Sequence, residues 1–273
     1  MLSFRELLST FNNLAIEPGR PVIVHASLSA FGQVRGGAET VVGALLAAFQ
    51  GVMMPTFTYK TMIIPETGPP DNGIQYGMGE NRNQMAEFFH PDMPADKLMG
   101  VVAETLRRHP RAKRSGHPIL SFAGVGVDHI LAAQTLDDPL VPIQELTRAG
   151  GWVLLLGVTH TVNTSIHYAE KLAGRKQFVR WALTPTGVRE CPGFPGCSDG
   201  FDALKPYTEE ITRKRQIGAA RLQAIPLSPM IAIARKLVEE NPAALLCHRL
   251  QCPRCNAIRA GVNTARAPGL PDG

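Results

Sequence analysis

A layered α/β fold is the class this sequence predicts, and three observations carry the prediction. Short apolar runs bounded by glycine and proline alternate with stretches of helical period. The first such runs already form a strand–helix–strand unit, which is how layered α/β folds are assembled. At 273 residues, 44% apolar and 19% charged, the chain can bury a full core.

In chain order, Leu7, Leu8, Phe11 and Leu14 recur at helical spacing with polar residues between them. They predict an amphipathic helix, and the uninterrupted apolar run of a signal peptide is missing. Pro21–His25 and Gly51–Pro55 read as strands around an Ala/Val/Leu-rich helix from Gly37 to Phe49. Gly36–Gly37 suits a tight helix entry with backbone open to an anion. Residues 65–94, rich in Pro, Gly and Asn, predict a long functional loop. A helix over 96–108, a strand over 118–125 and a short helix over 142–148 follow. Then come a buried strand at Val153–Leu156, a sharp turn at Gly157 and a polar-faced helix. Phe178–Leu183 reads as a strand entering the Thr184–Gly187 turn, with helices near 201–211 and 229–240. Residues 265–273 are expected to be a disordered tail. Without repeats or a clean linker, 1–273 reads as one domain with an acceptor-side loop over 61–99 and a Cys-rich region over 191–259.

No apolar run reaches the roughly 18 residues that span a bilayer, so a cytoplasmic protein without membrane attachment is expected. The balance of 28 basic to 23 acidic residues, net +5, is too mild to argue for nucleic acid. Arg107–Arg114 nevertheless packs five positive charges into eight residues, either an anion site for a phosphorylated cofactor or a solvated helix end. Residues 61–99 carry Glu66, Asp71, Glu80, Glu87, Asp92 and Asp96 against Arg82 and Lys97. Such a segment could line a cleft for a cationic ligand.

Chemistry concentrates in Gly151–Glu170, GWVLLLGVTHTVNTSIHYAE. Asn163, Thr164, His167, Glu170 and Lys171 share one helical face. Open α/β sheets place chemistry where a strand ends in such a helix. His167 offers a proton acceptor, and Glu170 one turn on can orient it. The plainer reading is a surface helix with an incidental His–Glu pair.

Five cysteines lie late in the chain. Cys252 and Cys255, in CPRC, have the knuckle spacing for one zinc ion. Cys191 and Cys197, in CPGFPGC, form a wider pair that would complete a closed, structural four-thiolate site. Cys247 and His248 stand in reserve. The alternative is a set of metal-free thiols.

Several segments together resemble the antibiotic N-acetyltransferase family, the aminoglycoside 3-N-acetyltransferases outside the GNAT fold. They are VIVHASLSAFGQVRGGAETVVGALLAAF, VMMPTFT, KRSGHP, SFAGVG and GWVLLLGVTHTVNTSIHYAE, in family order. The resemblance implies an α/β/α sandwich with a central mixed sheet, and acetyl-coenzyme A as donor. It implies that His167 is the catalytic base with Glu170 beside it, and that Thr164 approaches the thioester. Ser27, Ser29, Gly36 and Gly37 would bind coenzyme A, and the KRSGHP match adds Arg114, Ser115 and His117. Some members hold a structural zinc near a C-terminal CxxC, as at Cys252 and Cys255 here. The acceptor would be a small, polycationic amine, the 3-amino group of an aminoglycoside, and the protein a monomer or homodimer. An aspartate beside the histidine is common in the family, with Asp199 and Asp202 the candidates here. Acyl transfer to a different amine, and a zinc-stapled binding module without catalysis, are the rival functions.

Overall fold

The computed structural model describes residues 1–266, with side chains through Val262. The elements run α1 (Phe4–Asn12), β1 (Val22–Ala26), α2 (Gly37–Ala48), β2 (Val52–Pro55), β3 (Met62–Ile63), α3 (Glu80–Gln84) and α4 (Gly100–Arg107). Next come β4 (Lys113–Arg114), β5 (Phe122–Val125), α5 (Asp128–Ala132), α6 (Val141–Arg148), β6 (Trp152–Leu156) and α7 (Ser165–Leu172). The chain continues through β7 (Phe178–Thr184), β8 (Gly187–Phe194), α8 (Lys205–Thr208), β9 (Arg213–Ile217), β10 (Ala220–Pro226), α9 (Leu227–Glu240) and α10 (Pro253–Arg266).

A seven-stranded sheet has the order β4-β5-β2-β1-β6-β10-β9. Its centre is parallel, β1 pairing with both β2 and β6, and its flanks are antiparallel. The sheet is therefore mixed, as expected. Side chains alternate across it because successive Cβ atoms leave opposite faces of a strand. Ile23, Val153 and Leu155 point into a core with α5, α6, α7 and α9. Val22, Val24, Trp152, Leu154 and Leu156 point into the other core, with α1, α2 and α4. Both faces of β1 and β6 are thus covered, which is why these strands read as unbroken apolar runs. A second, antiparallel sheet, β3-β7-β8, contains the hairpin turn expected at Thr184–Gly187.

Three departures from the sequence reading have local causes. The helix expected from Asp96 starts at Gly100, because the Asp96 carboxylate accepts from Leu98 N–H in a separate 3₁₀ turn and Gly100 takes φ +81°. The β9–β10 hairpin was not anticipated. Its turn uses Gly218 at φ +59°, where a Cβ would lie 2.6 Å from the Phe31 carbonyl oxygen. The CPRC motif opens a helix that was not anticipated, α10, with Pro253 as the first helical residue. Of the expected disordered tail, residues 267–273 lie outside the described residues, while Ala265 and Arg266 close α10. Among the described residues, no helix is long and apolar enough to cross a membrane.

Candidate active site

The central strand β1 sends its chain to β2 on one side and has β6 on the other. A crevice opens outside the carboxyl ends of such strands. There a cleft of about 920 Å³ is lined by His25 near the end of β1 and Ser27 and Ser29 beyond it, by Pro55 at the end of β2 and Phe57 beyond it, and by Val158, Thr164 and His167 after β6. The opposite wall brings Gly196, Ser198, Asp199 and Arg254. Four of the expected site residues, Ser27, Ser29, Thr164 and His167, line this cleft together.

The strand–turn–helix segment builds the wall that holds the histidine. Gly157 follows β6 at φ +69°, and a Cβ there would lie 2.4 Å from Ala30 Cβ. The Asn163 side chain then accepts from Ser165 N–H at 3.2 Å and starts α7. Two residues on, His167 Nδ1 meets Glu170 Oε2 at 2.7 Å, with both side chains buried. The ring of Phe201 packs edge-on against the imidazole, centroids 4.7 Å apart. Nδ1 is thereby committed, and Nε2 is left to the cleft that His167 lines. An imidazole held at one nitrogen by a carboxylate, with the other facing a ligand cavity, can accept a proton from a bound nucleophile.

The sequence reading missed Arg175. Gly174 takes φ +72° at the end of α7, and Arg175 N–H reaches back to the Glu170 carbonyl at 2.9 Å. This Schellman-type cap folds the guanidinium onto the Glu170 carboxylate, where Nη1 pairs with Oε1. Nη2 donates to the carbonyls of Pro242 (2.9 Å) and Ala244 (2.6 Å). The sequence signal was present: a glycine after the last helical turn, then a basic residue.

The cofactor-side expectations divide. Ser27 and Ser29 hydroxyls lie 3.1 Å apart at the cleft. Gly36 and Gly37, both at positive φ, form the entry of α2 and are not among the lining residues. Arg114, Ser115 and His117 also stand away from the lining, because the backbone claims them. Arg114 binds the carbonyls of Thr56, Pro91 and Met93. Ser115 Oγ accepts from Phe122 N–H at 2.9 Å. His117 Nδ1 accepts from Ile119 and Leu120 N–H, and burial pushes its pKa down to about 4. Arg107, in the same basic cluster, is engaged by Glu104.

The acceptor-side expectation also changes. From residues 61–99 the cleft receives Leu98 and Met99, whose side chains are apolar. The segment's carboxylates turn elsewhere, Glu87 to Lys60 and Asp96 to its own turn. Asp199 is the acidic residue in the lining, and Arg249 pairs with it. Asp202 accepts from His160 N–H at 2.9 Å. Neither aspartate bonds His167, so Glu170 is its carboxylate partner. Burial pushes Tyr59 up to about 12 on the same wall, and Arg254 spans the carbonyls of Pro195 and Gly196. His25, also in the lining, is pushed down to about 3 by burial, and its Nε2 has no hydrogen-bond partner.

The expected metal set needs one correction. Cys197, Cys247, Cys252 and Cys255 lie with their sulfurs all within 4.8 Å of one another, and all four are buried. Cys191 is not with them. It sits mid-strand in β8 opposite Arg180, inside the core, where burial pushes its thiol up to about 12. Cys247 takes its place because the chain after α9 turns back through Leu245, at φ +62°. His248, the other reserve, is exposed and outside the cluster. Cys197 is held far below the usual thiol range, first by the hydrogen bond from the Cys255 thiol and then by the Asp199 N–H. The cluster therefore favours a thiolate, the form that binds metal.

Comparison with known proteins places this geometry. Residues 23–239 match the aminoglycoside 3-N-acetyltransferase family. An aminoglycoside N(3)-acetyltransferase III from a Salmonella species is 27% identical over 271 residues, covering 87% of this chain and 91% of that protein. The crystal structure of the apoenzyme of aminoglycoside acetyltransferase AAC(3)-IVa superposes with a TM-score of 0.77 at 25% identity, over 95% of this chain and 97% of the other. The structure of AAC-IIIb as a binary complex with CoASH has the same fold, with a TM-score of 0.71 at 24% identity over 87% of this chain and 96% of the other. The chain belongs to the aminoglycoside 3-N-acetyltransferase family, and the enzyme class is that of the acyltransferases.

Proposed function

We propose that this member of the aminoglycoside 3-N-acetyltransferase family moves the acetyl group of acetyl-coenzyme A to the 3-amino group of an aminoglycoside, with His167 as general base. The observation that carries the reading is the buried His167–Glu170 pair, with Nε2 left to the cleft at the carboxyl ends of β1 and β6. The amine nitrogen attacks the thioester carbonyl carbon while Nε2 takes its proton. The C–S bond then breaks, and the departing sulfur leaves as coenzyme A thiol after receiving a proton from the imidazolium. Glu170 holds the tautomer in which Nδ1 bears hydrogen, and it stabilises the imidazolium. Such proton transfer is typically worth about 10²–10⁴-fold. Thr164 lies beside the base, suited to the oxygen that gathers charge in the tetrahedral intermediate. Ser27 and Ser29 line the pantetheine path. CoASH in the AAC-IIIb complex supports the choice of donor.

Cys197, Cys247, Cys252 and Cys255 would hold one structural zinc. Tetrahedral Zn–S bonds of about 2.3 Å set sulfurs roughly 3.8 Å apart, which the cluster's 4.8 Å limit accommodates. All-thiolate coordination leaves no open position, so the ion would supply rigidity to the 191–259 region and no chemistry to the transfer.

A second acceptor class is favoured by one observation. The only carboxylate in the described lining, Asp199, is already paired with Arg249, and Arg254 adds a positive charge. Less cationic amines would meet less repulsion there. Coenzyme A thiol release, measured with gentamicin, apramycin and simple monoamines as acceptors, tests both readings. Turnover with the aminoglycosides is expected, turnover confined to monoamines selects the second class, and no turnover with any amine sinks acetyl transfer.

A further inference from the structure

The buried cation at the end of α7 completes a line of charge that ends at His167. Glu170 uses one carboxylate oxygen on His167 and the other on Arg175, and its side chain is only 1% exposed. Arg175 is itself 2% exposed in its side chain, and its remaining nitrogens are spent on Pro242 and Ala244 or left without partner at Nε. We propose that Arg175 is a positioning residue of the acyl-transfer site, acting through Glu170 to fix the orientation of His167 and the pH range in which the ring can take a proton.

Two physical effects support this. The first is geometric. A carboxylate held at both oxygens cannot rotate without breaking two charged hydrogen bonds, which are stronger than neutral ones. The imidazole plane inherits that constraint through the 2.7 Å contact. The second is electrostatic. Glu170 alone would set an uncompensated negative charge beside the ring, which favours the imidazolium form. The guanidinium cancels that charge. The set Arg175–Glu170–His167 is then neutral when the ring is neutral, and a proton from the amine adds one positive charge that the next step removes.

Other charges around the ring do not supply this balance. His25, Tyr59, Asp199 and Arg254 share the cleft, and none of them bonds His167. Asp202 near Phe201 is engaged by His160 N–H. On α7, Lys171 turns to Asp138. On α6, Glu145 pairs with Arg148. On α9, Glu239 pairs with Arg235 and Glu240 with Lys236 on the solvent side.

The proposal rests on the acyl-transfer reading, and its test uses two measurements, one of which needs no turnover. The pH profile of kcat/KM and the NMR titration of the His167 ring are compared in wild type, Arg175→Gln and Arg175→Lys. In Arg175→Gln, which keeps hydrogen-bonding capacity without charge, the acid limb and the ring titration should both move up by about one pH unit. Arg175→Lys keeps the charge but not the planar fork, so both midpoints should stay while kcat falls several-fold with KM little changed. A folded Gln variant with unmoved midpoints overturns the proposal, and makes Arg175 a clamp only. Should the Gln variant fail to fold, the Lys variant decides, because a moved midpoint or an unchanged kcat there also overturns it. If wild type acetylates nothing, the acyl-transfer reading falls on that result, and the ring titration still judges the electrostatic effect of Arg175.

Discussion

Two buried polar clusters occur in this protein, and they are assembled in opposite ways. The His167–Glu170–Arg175 group comes from one helix and its cap. The cysteine cluster joins Cys197, past the end of β8, to three sulfurs that arrive after α9. A local group is ordered as soon as its helix packs. A group drawn from distant segments is ordered only once the chain has closed a long loop, so its bonds hold the fold together more than they tune a reaction. The comparison predicts a division of labour: changes in the first cluster should cost rate, and changes in the second should cost stability.

The largest separation is expected from His167→Ala. It should lower kcat/KM by about 10²–10⁴-fold while leaving the thermal unfolding midpoint and metal content close to wild type. Steady-state kinetics beside calorimetry reads both. An unfolding midpoint that collapses with the rate would erase the distinction between the clusters.

Next is the metal. One zinc ion per chain is expected by elemental analysis. Cys247→Ala should abolish it and lower the unfolding midpoint, because binding free energy at such a site is folding free energy. Cys191→Ala should keep the zinc and cost only the packing of a small buried side chain, about 1 kcal/mol. The reverse pattern would return Cys191 to the ligand set.

The same contrast explains what could be read without coordinates. His167 and Glu170 were legible because helical spacing alone brings residues three apart together. Strands β1 and β6 were legible because Val22–Val24 and Val153–Leu156 are buried on both faces and show as continuous apolar runs. The fourth thiolate was not, since spacing along the chain cannot say which way a strand residue such as Cys191 points. The β9 strand, Arg213–Ile217, was hidden by its charge: it is an edge strand, and lysine and arginine are what edges carry. Arg114, Ser115 and His117 were hard to place for a related reason. Their polar side chains satisfy buried backbone, and a sequence does not show where unpaired carbonyls and N–H groups will lie.

Part of the acid sensitivity should lie outside both clusters. His25 and His117 are pushed down to about 3 and about 4 by burial, against about 6.5 in the unfolded chain. Because both folded values lie below the unfolded value, the unfolded chain binds the extra protons. The stability these groups contribute is therefore complete above pH 6.5 and falls as the pH drops towards 4 and then 3. Each contributes at most about 1.4 kcal/mol of loss per pH unit in that window. Urea midpoints at pH 7 and pH 5 should differ, and His117→Gln should shrink the difference. An equal drop in the variant would assign the acid loss elsewhere.

The smallest expected effect sharpens the boundary between the two clusters, because Arg249 touches both the cysteines and the cleft. It contacts Cys197 Sγ at 3.6 Å and pairs with Asp199 in the cleft lining. The Arg249 and Asp199 side chains are 66% and 47% exposed, so the pair is screened by solvent. Arg249→Gln frees the Asp199 carboxylate for a cationic acceptor. KM for a polycationic aminoglycoside should fall about two- to three-fold, an order of magnitude typical of exposed ion pairs. The monoamine KM, kcat and zinc content should not change. An unchanged aminoglycoside KM would place the acceptor's charges away from Asp199. A loss of zinc would show instead that Arg249 serves the thiolates first.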